Sequence, residues 1–164
     1  LFPGYSIRAN DLSDLASTIP PNVSPMQPSA MLFNASTFAI GLLSLISSVL
    51  IHFSFGSRLF SILFGLSGLF AMGVAAFPGD AGTMHGLVAL GWFTTAPLSA
   101  IVSCRKVKGP LAWFSPAIGI FSLIVLFLHH RCMSQILLSS WAYVIMGVMT
   151  VSYTHLTLPT IYSV

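Results

Sequence analysis

The chain carries very little charge. Six of its 164 residues are Lys or Arg, three are Asp and none is Glu, so charged residues make up 5% of the sequence. Soluble domains contain about 25% charged residues, which excludes that class of protein. The net charge of +3 comes from a few residues in short loops and gives no indication of nucleic-acid binding.

Signatures of catalysis and metal binding are also missing. The two cysteines, Cys104 and Cys132, form neither a disulfide framework nor a metal motif. The sequence contains no glycine-rich phosphate loop, no nucleophile elbow and no His-Glu-x-x-His pattern. We therefore expect no cofactor, and no motif indicates an enzyme.

Long apolar runs dominate the chain instead, and none of them contains a charged residue. A helix needs about 20 apolar residues to cross a bilayer, and all but the last run reach that length. Lipid cannot hydrogen-bond a backbone, so runs of this kind must be helices. We predict an all-α fold, a polytopic transmembrane helical bundle. Its five helices are Met31–Ile51, Leu59–Phe77, Gly86–Cys104, Pro110–Leu128 and Ile136–Val151.

These runs divide the chain into a polar, proline-rich external loop (residues 1–30), the bundle (31–151) and a tail (152–164). Within the loop, Asn10–Ala16 could form a short interfacial turn capped by Asn10 or Ser13. Short connections predict that neighbouring helices are antiparallel. The connections are His52–Arg58, Pro78–His85, Arg105–Gly109 and His129–Gln135.

The tail Ser152–Val164 resembles the translation of sequencing-adapter DNA, and we expect it to contribute nothing to function. The alternative is that the last helix continues to about Leu158 and stops at Pro159.

The loops differ in charge between the two sides of the predicted bundle. One side carries Arg58, Arg105, Lys106 and Lys108, and the other carries Arg8, Arg131 and every acidic residue. By the positive-inside rule, we predict a multi-pass protein of the cell membrane with the Arg105–Lys108 loop cytoplasmic. The loops with Asp11, Asp14 and Asp80 are then external.

Small and hydroxyl residues recur at helical spacing within the runs. Without a hydrophobic force between helices in lipid, such faces allow helices to approach closely, so we expect them to point inward and Phe, Leu and Ile to face lipid. A polar permeation path would use the same residues, but packing is the favoured interpretation. The stripes are Asn34, Thr37, Gly41, Ser44 and Ser48; Ser67, Ala71 and Ala75; Gly91, Thr95, Ser99 and Ser103; and Ser140, Tyr143, Gly147 and Thr150.

The best candidate site is a polar cluster on the predicted external side. Three acids and a histidine there could bind a cation, a divalent metal or a lipid headgroup. The alternative is that these residues bind no ligand and have only structural roles. Pro78-Gly79 then makes a turn, Asp80 is solvated or caps the next helix, and His85 is an interfacial residue. We expect the cluster to act as a closed lock on the long loop, with an open acidic pocket as the alternative. Its residues are Asn10, Ser13, Asp14, Asn34, Asp80 and His85.

Four segments in this order resemble a known family: Tyr5–Leu15, Pro28–Asn34, Phe77–Asp80 and His85 after a short gap. They are similar to prokaryotic membrane proteins grouped as domain of unknown function 998, and the resemblance covers about Leu1 to Val151. It implies a six-helix membrane protein of which this chain, as an N-terminally truncated fragment, holds helices two to six. It implies no activity.

The polar residues of the family's motifs map onto the same six positions as the cluster. Members carry a glycine after Ser-Asp-Leu, where this chain has Ala16. This difference affects the backbone of the turn and leaves the polar residues unchanged.

Three functions compete at this point. The first is a non-enzymatic membrane protein that binds a lipid, solute or partner at its outer face. The second is a transporter or channel subunit, although no Asp, Glu, Lys or Arg lies within a predicted span. The third is a metal-dependent intramembrane hydrolase that uses Asp14, Asp80 and His85 around zinc.

Overall fold

The computed structural model describes residues 5–6, 10–16, 28–105 and 111–132, and the regular structure within them is helical. Its α-helices are α1 (Ser29–Phe55), α2 (Arg58–Ala76), α3 (Thr83–Ser103) and α4 (Leu111–Cys132). Two short 3-10 helices cover Leu12–Ala16 and Gly79–Ala81.

The helices have the length and composition of membrane spans. Three are long and apolar enough to cross a bilayer, over Ser29–Ser54, Arg58–Ala76 and Thr83–Ser103, and α4 contains a shorter apolar stretch, Ala112–Leu128. The predicted all-α membrane bundle is therefore confirmed. The expected fifth helix, Ile136–Val151, and the tail Ser152–Val164 lie outside the described residues.

Several predicted helix ends were wrong. Helix α1 begins at Ser29 and continues past Ile51 to Phe55, because no proline or glycine stands between Ile51 and Gly56, whose φ of 61° ends the helix. The connection between α1 and α2 is thus only Gly56 and Ser57. Helix α3 begins at Thr83, so the connection predicted as Pro78–His85 is shorter than expected and ends at Gly82. Helix α4 reaches Cys132 and includes His129–Arg131, which had been assigned to a loop.

Neighbouring helices pack antiparallel, as predicted. Helix α1 packs on α2, α2 on α3 and α3 on α4. In the first pair, Gly41 lies against Met72 while Ser48 lies against Gly65, so the two helices run in opposite directions. Gly73 against Val88 and Gly91 against Phe70 show the same for α2 and α3. The segment Pro78–Gly82, which joins α2 to α3, therefore lies at the end of the bundle that was predicted to carry the external loop. The Gly56–Ser57 turn lies at the opposite end.

Small residues face the interior and large apolar residues face outward. On α1, Thr37 is 5% exposed and Ser48 is also 5% exposed, whereas Leu43 is 63% exposed. Ser67, Ala71, Ser99 and Ser103 are likewise buried on α2 and α3. The prediction of inward small-residue faces is confirmed for the first three stripes. The fourth, Ser140 to Thr150, falls outside the described part of the chain.

The closest backbone approach occurs between α1 and α2. A methyl group added at Gly68 would lie 2.6 Å from the Gly41 carbonyl oxygen and 2.9 Å from the Leu45 nitrogen. Both neighbours are backbone atoms, which cannot rotate away as a flexible side chain could. Only glycine fits this contact.

We expect Gly68→Ala to lower the free energy of unfolding by about 1–3 kcal/mol, because the added methyl group overpacks a rigid contact. Gly86→Ala is the matched control, since a methyl group there meets no atom within 4 Å. Thermal unfolding in detergent micelles measures both variants. Equal melting temperatures for the two would contradict the close α1–α2 packing.

Candidate functional site

Three segments meet at the end of the bundle where α2 passes into α3. The 3-10 helix Leu12–Ala16 packs both on α1 and on the Gly79–Ala81 turn. Asn34 lies on the face of α1 that contacts α2, about two turns before Gly41. Because Gly41 packs against Met72 and the helices are antiparallel, Asn34 comes level with the segment that follows α2. The segments that carry the predicted cluster therefore share one end of the bundle.

The N-terminal 3-10 helix is closed by its own acidic side chain. The Asp11 N–H donates to Asp14 Oδ2 at 2.9 Å, and the Asp14 N–H donates to the Asp11 carbonyl at 3.1 Å. A carboxylate that accepts the N–H before a helical turn is half of a capping box. Asn10, which had been expected as a cap, instead accepts the Ser6 N–H at 3.2 Å. Ser13 is buried beneath the turn.

Asn34 is the unusual member of the cluster. Its Oδ1 atom is fully buried and has no hydrogen-bond partner among the residues that the structure describes. An unsatisfied buried acceptor costs roughly 1–3 kcal/mol, so this oxygen should receive a donor when the site is occupied.

Asp80 and His85 flank the start of α3 in different ways. Asp80 is exposed in the 3-10 turn, and the N-cap position of α3 is Gly82. His85 is half-buried on the first turn of α3, and its Nδ1 lies 2.7 Å from the Phe77 carbonyl oxygen. A carbonyl can only accept, so Nδ1 carries the proton. In the neutral ring, Nε2 is then a hydrogen-bond acceptor.

These contacts leave part of the hypothesis open. The segments converge, but direct hydrogen bonding among Asp14, Asn34, Asp80 and His85 stays a prediction. The bonds described for Asp14 and His85 go to backbone groups, at Asp11 and Phe77. Each of these side chains therefore also fixes a local turn.

Sequence reasoning missed Tyr5 as part of this end. Its pKa is raised from the usual value near 10 by partial burial first, and then by the negative charges of Asp14 and Asp11. The acidic N-terminal turn therefore lies close to the phenol. The available signal was the position of Tyr5 at the start of the Tyr5–Leu15 motif.

A metal centre receives no support. Within residues 5–6, 10–16, 28–105 and 111–132, no group of three His, Cys, Asp or Glu side chains could hold a metal ion. The hydrolase hypothesis needs Asp14, Asp80 and His85 to converge on one zinc ion.

Several interior hydroxyls are already satisfied by their own helices. Thr37 donates to the Phe33 carbonyl at 2.8 Å, and Ser67 donates to the Phe64 carbonyl at 2.7 Å. Thr95 and Ser99 bond in the same way on α3. Hydroxyls that are paired within a helix need no water or ions along the interior, so these faces are better explained as packing surfaces than as a permeation path.

Long apolar helices, inward small residues and short antiparallel connections define a polytopic helical membrane protein. The profile of the family described as "Protein of unknown function (DUF998)" matches residues 1–144, and the chain belongs to this family. The predicted family resemblance is thus confirmed. Neither the curated proteins nor the solved structures contain a match.

The raised pKa of Tyr5 provides a test of the acidic turn. Asp14→Asn should lower the pKa of the phenol, because it removes a nearby negative charge, whereas Asp80→Asn should leave it unchanged. Alkaline titration of tyrosine absorbance, with Tyr5→Phe as the reference, isolates this residue from the other tyrosines.

The same shift sets a pH dependence. Because the folded protein holds the phenol proton more tightly than the unfolded chain, stability should decline as the pH rises above about 10. Tyr5→Phe should remove that part of the decline. If Asp14→Asn and Asp80→Asn gave the same titration curve, Asp14 would not lie beside Tyr5.

Proposed function

We propose that the protein is a non-enzymatic binding protein of the cell membrane. It holds a primary ammonium group, carried by a lipid headgroup or a small solute, at the end of the bundle formed by Leu12–Ala16, the start of α1 and the Gly79–Ala81 turn. The observation that carries this proposal is the buried, unpartnered oxygen of Asn34.

The chemistry of the ligand follows from the atoms around the site. Asn34 Oδ1 and His85 Nε2 are acceptors, and the carboxylates of Asp14 and Asp80 are acceptors that also carry negative charge. A ligand that complements them must donate hydrogen bonds and carry positive charge. An ammonium group does both, and charge-assisted hydrogen bonds of this kind are the stronger ones.

The Asn34 oxygen also bears on the choice between a pocket and a lock. A lock that closed on itself would pair each buried polar atom, since leaving one unpaired destabilises the closed state. Asn34 has no such partner in the described part of the chain, which favours the pocket. The 3-10 helix Leu12–Ala16, which packs on α1 and on the Gly79–Ala81 turn, is then the cover of a binding site.

Charge distribution supports an external position for this end. Arg58 begins α2 and Arg105 follows α3, so both lie at the opposite end, and Lys106 and Lys108 come directly after Arg105 in the sequence. The acidic residues of the chain are Asp11, Asp14 and Asp80. The positive-inside rule then makes the Arg105–Lys108 loop cytoplasmic and the proposed site external.

The ligand is tested by reconstituting the chain in nanodiscs of phosphatidylcholine, with and without phosphatidylethanolamine. The two headgroups have the same net charge, but only ethanolamine has N–H donors. We expect phosphatidylethanolamine to raise the melting temperature. Free ethanolamine added to phosphatidylcholine nanodiscs shows whether the headgroup alone is sufficient.

Asn34→Leu should abolish this stabilisation while leaving the protein as stable as the wild type, or more stable, in pure phosphatidylcholine. Its matched control is Thr37→Val, one turn deeper on the same face, which should retain the response. A wild type that melts at one temperature under all three conditions would contradict the proposal. Asp80→Ala distinguishes a closed lock from a binding pocket. A lock predicts that the variant is less stable than the wild type without ligand, whereas a pocket predicts only that ligand binding is lost.

A further inference from the structure

The opposite end of the bundle contains a second set of polar groups, around the start of α2. Only Gly56 and Ser57 separate α1 from α2, and Ser57 is the N-cap of α2 but makes no side-chain capping bond. The first N–H groups of any helix have no carbonyl partner within the helix, and they carry partial positive charge. A methyl group at Gly56 would meet no atom of the described residues within 4 Å.

Ser61 provides an independent observation at the same place. It is 7% exposed, and its Oγ has no hydrogen-bond partner among the described residues. This differs from Ser48 and Ser67, whose hydroxyls bond to carbonyls of their own helices. A side chain on an α-helix leans toward the turn that precedes it, so the Ser61 hydroxyl lies over the first turn of α2.

The charge at this end is positive. Arg58 and Arg105 are both exposed, and His52 is exposed on the last turn of α1. The acidic residues of the chain are Asp11, Asp14 and Asp80. They lie on or beside the 3-10 helix Leu12–Ala16 and the Gly79–Ala81 turn, and these two segments contact each other at the other end of the bundle. No carboxylate of this chain therefore opposes an anion here.

We infer that the start of α2 is an oxyanion site that binds a phosphate group. The first-turn N–H groups of α2 and the Ser61 hydroxyl donate to phosphate oxygens, and the Arg58 guanidinium supplies the counter-charge. Phosphate oxygens are negatively charged hydrogen-bond acceptors, and a helix N-terminus offers them unpaired backbone N–H donors and partial positive charge. A phospholipid headgroup and free inorganic phosphate share this chemistry. This site is separate from the ammonium site and does not depend on it.

The test uses the full chain in micelles of a neutral detergent, with the melting temperature as the readout. One arm titrates inorganic phosphate against chloride at constant ionic strength. The other arm titrates phosphatidylglycerol against diacylglycerol, which has the same chains without the phosphate. A ligand that binds only the folded state raises the melting temperature, by an amount that grows with the logarithm of its concentration relative to its dissociation constant. A response in the first arm identifies free phosphate as sufficient, and a response in the second arm alone identifies the lipid.

Two variants with matched controls test the assignment. Ser61→Ala should raise the phosphate concentration needed for a given rise in melting temperature about tenfold, the usual effect of losing a hydrogen bond to a charged group. Without phosphate it should unfold at the wild-type temperature or above it, because an unpaired hydroxyl is removed. Ser67→Ala is the control on the same helix. Arg58→Gln should also weaken the response, whereas Arg105→Gln, with the same loss of charge at the same end, should weaken it less.

Three results would overturn the inference. The first is no phosphate-dependent stabilisation of the wild type in either arm. The second is a Ser61→Ala variant that responds to phosphate as the wild type does. The third is an equal loss of response in Arg58→Gln and Arg105→Gln, which would indicate attraction to diffuse positive charge and no defined site.

Discussion

Hydrogen bonds from Ser and Thr hydroxyls to carbonyls of their own helices are the interaction on which this bundle depends. In an apolar medium each polar group needs a partner, and these hydroxyls find one without leaving their helix. Ser48 and Ser103 can therefore occupy the helix interface at little cost in unsatisfied polarity. Their small size then allows the backbones of adjacent helices to approach, as Gly41 and Gly68 do at the closest point.

One hydroxyl pair extends this principle between helices. Ser115 of α4 donates to the Ala100 carbonyl of α3 at 2.9 Å, and its oxygen lies 2.9 Å from the Ser103 hydroxyl. Helix α3 ends at Ser103, so the Ala100 carbonyl lies in its last turn, where helical partners run out. This carbonyl accepts the Ser103 hydroxyl of its own helix at 2.7 Å and also the Ser115 hydroxyl of the neighbouring helix, which joins the end of α3 to α4.

The fold was largely predictable from sequence because membrane spans depend on run length and composition, both of which can be read directly. Helix ends were less predictable, because apolar content does not mark them. His52 and Ser54 looked like loop residues by polarity, yet the backbone stays helical until Gly56 adopts a positive φ. His85 was placed in a loop for the same reason and lies on α3.

The candidate site was predictable only at the level of segments. Spacing indicated which polar residues share one end of the bundle, but it could not show that Asp14 and His85 bond to backbone groups. Such bonds depend on turn geometry, which side-chain identity does not encode. The buried oxygen of Asn34 and the influence of Asp14 on Tyr5 likewise arise from how the chain packs, which spacing alone does not show.

The two-residue connection between α1 and α2 also determines how far each helix reaches across the bilayer. Helix α1 has 27 residues and α2 has 19, so α1 is eight residues longer, or about 12 Å at 1.5 Å per residue. The Gly56–Ser57 turn aligns the two helices at one end, and the excess length must emerge at the other. The first turns of α1 therefore project beyond the end of α2, and Asn34 lies on this projecting part of the helix.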